Sequence, residues 1–172
     1  MRRLGLALWL VVALGGCGAS GGGAAVDEAP ARFRIVPDDY HVPYAGTAGD
    51  GRRFFLSDEL FDPASGAAYV GLFLWNADGT FAEVKVDVAV RAEGVPPGQA
   101  ASAGADQVVA SRLAELGKYV LEPIDVAPFA VEVDGVTFGW VGEDFEGTYS
   151  LHIEPGDFIA YYEPWDGLDY DT

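Results

Sequence analysis

The sequence feature that most constrains the fold is a strict alternation of apolar and polar residues. From Ala82 to Val90 every second residue is apolar, and the residues between them are mostly charged. Successive side chains of a strand point to opposite faces, so one face is predicted to meet a core and the other to meet water. Antiparallel sheets allow this one-sided burial. The pattern therefore favours a mainly β fold.

Turn residues pair this strand and others into hairpins. Residues 68–75 are almost wholly apolar, which predicts a strand covered on both faces, and Asp78-Gly79 supplies the turn into the alternating strand. Asp134-Gly135 joins a second pair of predicted strands. A third hairpin and three weaker strands complete the prediction. The second and third hairpins are 129–133 with 136–141 and 149–153 with 158–162, and the weaker strands are 32–36, 53–56 and 119–126.

One segment, residues 106–116, is predicted to be helical. Val109, Leu113 and Leu116 fall on one face, and Gly117 suits a left-handed cap. The preceding residues 93–105 are rich in Pro, Gly and Ala, which predicts an exposed loop. We therefore expect a mainly β (α+β) fold for residues 31–172. Its form is an antiparallel sheet or a two-sheet sandwich, with one helix near 106–116 packed across an edge or a face.

The N-terminus has the features of an export signal. Two arginines follow Met1, and the chain is then apolar or small until Cys17. The apolar run would form a helix of about 16 Å at 1.5 Å per residue, which is too short for a hydrocarbon core of roughly 30 Å. Residues 1–16 are thus predicted to be a signal peptide and not a membrane anchor.

Leu14-Gly15-Gly16-Cys17 resembles the lipobox of bacterial lipoproteins. The resemblance implies that the Cys17 thiol takes a diacylglyceryl group, that cleavage occurs before it, and that the new amine is acylated, commonly with palmitate. The alternative is an ordinary secretory signal. Cys17 is the only cysteine of the chain, and a free thiol on an exported protein would be reactive. The resemblance covers these four residues and the segment before them.

Residues 17–30 are predicted to be the lipidated cysteine followed by a flexible tether. The residues after Cys17 are mostly Gly, Ala and Ser, and they would reach roughly 20 Å. The resemblance implies a location in the bacterial cell envelope. Gly18 stands where an Asp would favour the inner membrane of a double-membrane organism. We therefore expect the outer membrane if the organism has one.

Charge limits the partners of the mature chain. Loss of Arg2 and Arg3 with the signal leaves 8 basic against 27 acidic residues, a formal charge of −19. Binding to nucleic acid or to anionic lipid headgroups is disfavoured, while cationic, divalent and neutral partners stay open. Half of the residues are apolar, which indicates a folded domain.

Residues suited to covalent catalysis are few. Lipidation would remove the only thiol, and His41 and His152 are the only histidines, without a partner at ligand spacing. Ser150 and His152 point the same way on a predicted strand, but no serine stands in a Gly-x-Ser-x-Gly elbow. We expect His152 to face solvent and His41 to hydrogen-bond locally. No catalytic residue is predicted.

The C-terminal segment offers two candidate ligand sites. Trp165 and Tyr170 lie outside the strand pattern, and exposed aromatic rings edged by acids can stack on sugars, so they form a candidate glycan face.

Asp166, Asp169 and Asp171 are closely spaced oxygen ligands of the kind that Ca²⁺ accepts, although they do not match the EF-hand pattern. A calcium site here, or at Asp38 and Asp39, is the alternative to our expectation that the protein needs no cofactor.

These features favour a membrane-anchored, exported, non-enzymatic binding or interaction module with a protein or glycan partner. One alternative is a carboxylate-based hydrolase acting on envelope polysaccharide. Another is a protective inhibitor of a basic protein. A deep pocket that gathers buried acids with raised pKa values would favour the hydrolase, and a shallow aromatic surface would favour binding.

Overall fold

The computed structural model of the chain describes residues 29–89, 103–168 and 170–171. The predicted signal peptide, Cys17, most of the predicted tether and Asp169 lie outside these ranges. The described elements are, in chain order, β1 (Phe33–Ile35), β2 (Tyr44–Ala48), β3 (Arg53–Asp62), β4 (Ala67–Trp75), β5 (Phe81–Ala89), α1 (Ala103–Leu116), β6 (Tyr119–Leu121), β7 (Ile124–Val126), β8 (Ala130–Val133), β9 (Val136–Phe145), β10 (Thr148–Glu154), β11 (Ala160–Tyr162) and β12 (Tyr170–Asp171).

The strands form three antiparallel sheets. The first sheet has the order β5-β4-β3-β2-β6, the second has the order β12-β11-β10-β9-β8, and β1 pairs with β7 in a small third sheet. All three predicted hairpins are present, as β4–β5, β8–β9 and β10–β11. The predicted mainly β fold with a single helix is confirmed for the described residues.

Two of the hairpins depend on backbone conformations that the sequence indicates. Gly79 has φ 81° in the β4–β5 turn, and Asp134 and Gly135 have φ 51° and 83° between β8 and β9. Two successive positive φ angles define the tight turn that matches the twist of a hairpin, which is why Asp-Gly occurs there. The turn residues therefore set which strands pair.

The inner core lies where the two five-stranded sheets and the small sheet meet. Phe55 and Phe73 of the first sheet stack with their ring centroids 5.8 Å apart, and Trp140 of the second sheet packs edge-on against Phe33 at 5.0 Å. The Trp75 indole N–H donates to the Ala127 carbonyl at 2.9 Å. The Phe55 ring of the first sheet also lies 6.1 Å from the Trp140 ring of the second, which places the second sheet against one face of the first as a two-sheet sandwich.

The outer core fills the space between the other face of the first sheet and α1. Phe54 and Leu72 contribute from the sheet, and Val109 and Leu116 from the predicted helix face. The helix ends before Gly117, which has φ 68°, as predicted. Among the described residues, no helix has both the length and the apolar character needed to cross a membrane.

The alternating strand differs from its prediction on both faces. On the face expected to be buried, Val84 and Val86 do pack against the inner core but are only partly buried, and Val88 is 69% exposed. On the face expected to meet water, Lys85 and Asp87 lie beside α1. The reason is that β5 is an edge strand whose polar face is covered by the helix.

Arg112 of α1 organises that contact. Its guanidinium donates to Asp87 at 2.7 Å and to Glu115 at 2.9 Å, and Lys85 reaches Glu115 at 3.1 Å. The hydrogen bond to the Asp87 side chain and its negative charge raise the pKa of Arg112 despite its burial. Charge pairing thus joins α1 to this side of β5.

Other strand and helix boundaries also differ from those predicted from the sequence. Residues 119–126 do not form one strand, because Pro123 separates β6 in the first sheet from β7 in the small sheet. Ala105, predicted to lie in a loop, is fully buried in the first turn of the helix. The sequence pattern did not indicate β2 or the second half of β3, where a bulge between Ser57 and Leu60 breaks the alternation.

Two valines of the first sheet test this description. Val70 is fully buried in the outer core, whereas Val88 is exposed. We expect Val70→Ala to lower the free energy of unfolding by about 2 kcal/mol, because it removes buried methyl groups and leaves a cavity. Val88→Ala should change it by less than about 0.5 kcal/mol. Urea unfolding of the two variants and the wild type measures both changes, and equal losses would contradict the exposed position of Val88.

Candidate functional site

The second sheet has one buried face and one open face. Along β10, Leu151 and Ile153 enter the inner core, so Ser150 and His152 point to the opposite face. The open face carries a groove of about 560 Å³, here called the outer groove. Its lining residues are Glu143, Phe145, Glu146, Thr148, Ser150, His152 and Tyr162.

Strand pairing brings the groove residues together. In the register of the sheet, Ser150 lies opposite Glu143 of β9 on one side and opposite Tyr162 of β11 on the other. Three adjacent strands therefore place a hydroxyl, a carboxylate and a phenol side by side. The β9–β10 hairpin adds Phe145 and Glu146 at one end of the groove.

A chain of hydrogen bonds holds His152 at the base of the groove. Ser150 Oγ lies 2.6 Å from His152 Nε2, and Nδ1 contacts the Asp157 carboxylate. A carboxylate only accepts, so the His152 Nδ1 carries the hydrogen of the contact with Asp157. We expected a solvent-facing imidazole, but this side chain is only 20% exposed. The two partners keep it against the sheet.

Ser150, His152 and Asp157 contact one another in the same succession as the catalytic triad of serine hydrolases. The groups around them differ from those that a serine hydrolase needs. Acyl transfer needs N–H donors aimed at the developing oxyanion. β10 lies between β9 and β11, and Ser150 is paired on both sides, so the N–H groups beside Ser150 lie in the plane of the sheet and not in the groove. Glu143 opposite Ser150 would also repel an oxyanion. The arrangement is therefore better suited to positioning His152 than to nucleophilic attack.

The rim of the outer groove combines negative charge with aromatic surface. Glu143 and Glu146 are exposed, and Phe145 is 69% exposed at the hairpin end. Tyr162 is half-buried on the opposite side. Carboxylates attract a cation, and the face of an aromatic ring adds further attraction within about 6 Å. The groove can therefore hold a cationic group.

The acids with raised pKa values do not share one pocket. Burial raises the pKa of Asp58, with a further contribution from Asp106, and burial is the main cause that raises the pKa of Glu154. Glu154 does lie with Asp62 beside a separate groove. However, the Asp62 carboxylate accepts hydrogen bonds from the Ala64 and Ser65 N–H groups and the Ser65 hydroxyl. Those bonds close the β3–β4 turn and occupy the carboxylate.

The two residues predicted to form a glycan face have different structural roles. Trp165 is partly buried against the inner core and meets the Tyr149 ring edge-on at 6.1 Å. Its carbonyl accepts from the Arg34 N–H at 2.9 Å, which ties the tail to β1. Tyr170 pairs through its backbone with Tyr161 as part of β12. Trp165 thus contributes to packing of the tail.

The predicted calcium ligands are only partly described. The Asp166 carboxylate accepts from the Leu168 N–H at 3.1 Å, and Asp171 lies on β12. At the alternative position, the Asp38 carboxylate accepts from the N–H groups of Tyr40 and Val42. The described residues contain no group of three or more His, Cys, Asp or Glu side chains that could hold a metal ion. With Asp169 outside the described residues, a calcium site stays a prediction.

His41 finds a distant partner instead of the local one that we expected. Its Nδ1 contacts the carboxylate of Glu59, a residue of β3. The imidazole also lies 5.8 Å from the ring of Phe158, in the turn that follows β10. This histidine therefore links the first sheet to the β10–β11 turn.

No protein-family model, no curated protein and no solved structure matches the chain.

The environment of Glu154 makes the stability of the fold depend on pH. Its raised pKa results first from burial and then from the negative charges of Asp157 and Asp62, opposed by the Gly156 N–H and by His152. A raised acid pKa contributes stability below the ordinary value of 4.5, and this contribution is lost as the pH rises through the folded-state pKa. At neutral pH the charged Glu154 is thus unfavourable in the folded state.

We expect Glu154→Gln to be more stable than the wild type near pH 7, since the amide keeps the neutral form. The gain should disappear at about pH 4, where the wild-type carboxyl is protonated. Urea midpoints at the two pH values measure this difference. Glu132→Gln, which removes the same charge from an exposed position of β8, is the matched control. An equal gain in the control would mean that net charge alone is responsible.

Proposed function

We propose that the chain is an exported lipoprotein, anchored through lipid on Cys17, and that its β sandwich is a non-enzymatic binding module. The observation that carries the binding role is the outer groove on the open face of the second sheet. It combines exposed carboxylates and an exposed phenylalanine with the hydrogen-bonded Ser150 and His152. The anchor rests on the lipobox-like residues Leu14-Gly15-Gly16-Cys17.

The chemistry of the groove favours a cationic ligand. Glu143 and Glu146 supply negative charge at the rim, and the formal charge of −19 on the mature chain attracts cations from a distance. Phe145 and Tyr162 supply ring surface against which an Arg or Lys side chain can lie. The ligand that fits best is a basic segment of a partner protein.

This arrangement favours binding over hydrolysis of a polysaccharide. A carboxylate-based hydrolase needs one acid kept protonated and another ionised on either side of the scissile bond. Asp58 and Glu154, the described acids whose pKa values are raised, lie beside the helix and beside the β10–β11 turn, respectively. The carboxylates that act on Glu154 are those of Asp157, which contacts His152, and Asp62, which closes a turn.

A protective inhibitor of a basic protein remains a second candidate, and the groove supports it by the same chemistry. Such an inhibitor would block its target by charge complementarity, which governs association rate and specificity. Capture of the target should then weaken steeply with added salt. Capture that salt does not affect would remove this candidate.

The anchor is tested by replacing the lipidated residue. In a bacterial host supplied with radiolabelled palmitate, we expect the wild-type chain to incorporate label. Cys17→Ser should not, because serine has no thiol to take the diacylglyceryl group. Ser20→Ala, in the predicted tether, is the matched control and should be labelled normally. An unlabelled wild-type chain would contradict the anchor and leave the binding groove unaffected.

The groove is tested with a fluorescent Arg/Lys-rich peptide and a Gly/Ser peptide of equal length. We expect the mature protein to bind the basic peptide, and Phe145→Ala to weaken binding about two- to fivefold without changing any charge. That factor corresponds to about 0.5–1 kcal/mol for an exposed cation–π contact. Fluorescence anisotropy measures the affinity.

Glu143→Gln should also weaken binding of the basic peptide, by up to about fivefold. Glu132→Gln removes an exposed charge from β8 of the same sheet and should leave the affinity nearly unchanged. If the two substitutions had equal effects and Phe145→Ala had none, the peptide would be bound by the overall negative charge of the protein. That result would overturn the groove as a site.

A further inference from the structure

β6 forms one edge of the first sheet. It pairs with β2 on one side and has no strand on its other side among the described residues. All three of its residues are apolar and exposed: Tyr119 at 37%, Val120 at 61% and Leu121 at 46%. An edge with exposed apolar side chains and free backbone groups is a template for pairing with another strand.

The hydrogen bonds to β2 identify which backbone groups of β6 are used. The Lys118 carbonyl accepts from the Gly49 N–H, and the Glu122 N–H donates to the Ala45 carbonyl. In an antiparallel strand, alternate residues direct both of their backbone groups to the same neighbour. Lys118, Val120 and Glu122 therefore face β2, while the N–H and C=O groups of Tyr119 and Leu121 point outward from the sheet.

We propose that β6 pairs antiparallel with β6 of a second copy of this chain, about a two-fold axis at Val120. In this register Tyr119 lies opposite the partner's Leu121, and Leu121 lies opposite the partner's Tyr119. Both are hydrogen-bonded pairs, so the outward backbone groups gain four hydrogen bonds across the axis. Val120 meets its own copy in the close, non-hydrogen-bonded position.

Charge complementarity favours a second copy as the occupant. The same register places Lys118 opposite the partner's Glu122 and Glu122 opposite the partner's Lys118. Both side chains are exposed, and neither forms an ion pair with another described residue. Opposite charges facing each other across two strands stabilise the pair, whereas like charges destabilise it. The sequence from Lys118 to Glu122 is thus complementary to itself when reversed.

The register is tested by a cysteine at the axis. A close antiparallel pair has Cα atoms about 4.5 Å apart, within the range that a disulfide spans. We expect the full-length Val120→Cys chain, treated in membranes with copper–phenanthroline as oxidant, to run mostly as a disulfide-linked dimer. Val88→Cys, at a similarly exposed valine of the opposite edge strand β5, should stay monomeric. The wild-type chain controls for Cys17.

Charge reversal tests the complementarity. In the Val120→Cys background, Lys118→Glu should reduce the dimer several-fold, because it places two acids opposite each other. Adding Glu122→Lys should restore it, since the charges are then opposite again.

Absence of a dimer, an equal yield from Val88→Cys, or no restoration by the second reversal would each overturn the proposal. A disulfide to Cys17 of the same chain, or to a protein of different mass, would also overturn it by identifying another occupant of the edge.

Discussion

The structure depends on a first sheet that is apolar on both faces. Neighbouring residues of β3 show this directly, since Phe54 enters the outer core and Phe55 enters the inner core, both fully buried. β4 alternates in the same way between Leu72 and Phe73. Each face needs a cover, because exposed apolar surface of this size would cost free energy in water. The helix covers one face and the second sheet covers the other, so the layer order of the domain follows from these two central strands.

The second sheet, by contrast, needs to bury only one face, and its open face is free to carry polar groups. Ser150 and His152 lie there because residues two apart on a strand share a face, while Leu151 between them fills the inner core. The outer groove is therefore supported by a rigid sheet whose core side is fixed. Binding residues on such a support lose little freedom when a ligand arrives, which favours affinity. The hydrogen bonds to His152 add the same kind of rigidity at the base of the groove.

The parts of the fold that the sequence predicted are those set by local interactions. Hairpins with Asp78-Gly79 and Asp134-Gly135 could be predicted because turn and alternation lie in one short segment. β2 was missed, since its Ala and Gly residues give no strand signal, and Pro123 in the predicted strand 119–126 was an available signal that was not used. The site was harder. Glu143 and Tyr162 flank Ser150 because of the strand register, and Asp157 contacts His152 because of the turn after β10. The alternation of apolar and polar residues determines neither the register nor the turn.

The negative charge of the protein makes the proposed pairing of β6 edges depend on the proposed lipid anchor. A formal charge of −19 on each mature copy opposes association in solution, although salt screens this repulsion beyond about 8–10 Å. Any attraction between copies must therefore act at short range. Backbone hydrogen bonds and the facing Lys118 and Glu122 side chains are interactions of this kind. A lipid anchor confines the copies to one surface and raises their effective concentration, so a weak contact over a three-residue strand can still be occupied. Because β6 belongs to the first sheet, such a pair would leave the outer groove of the second sheet open to its ligand.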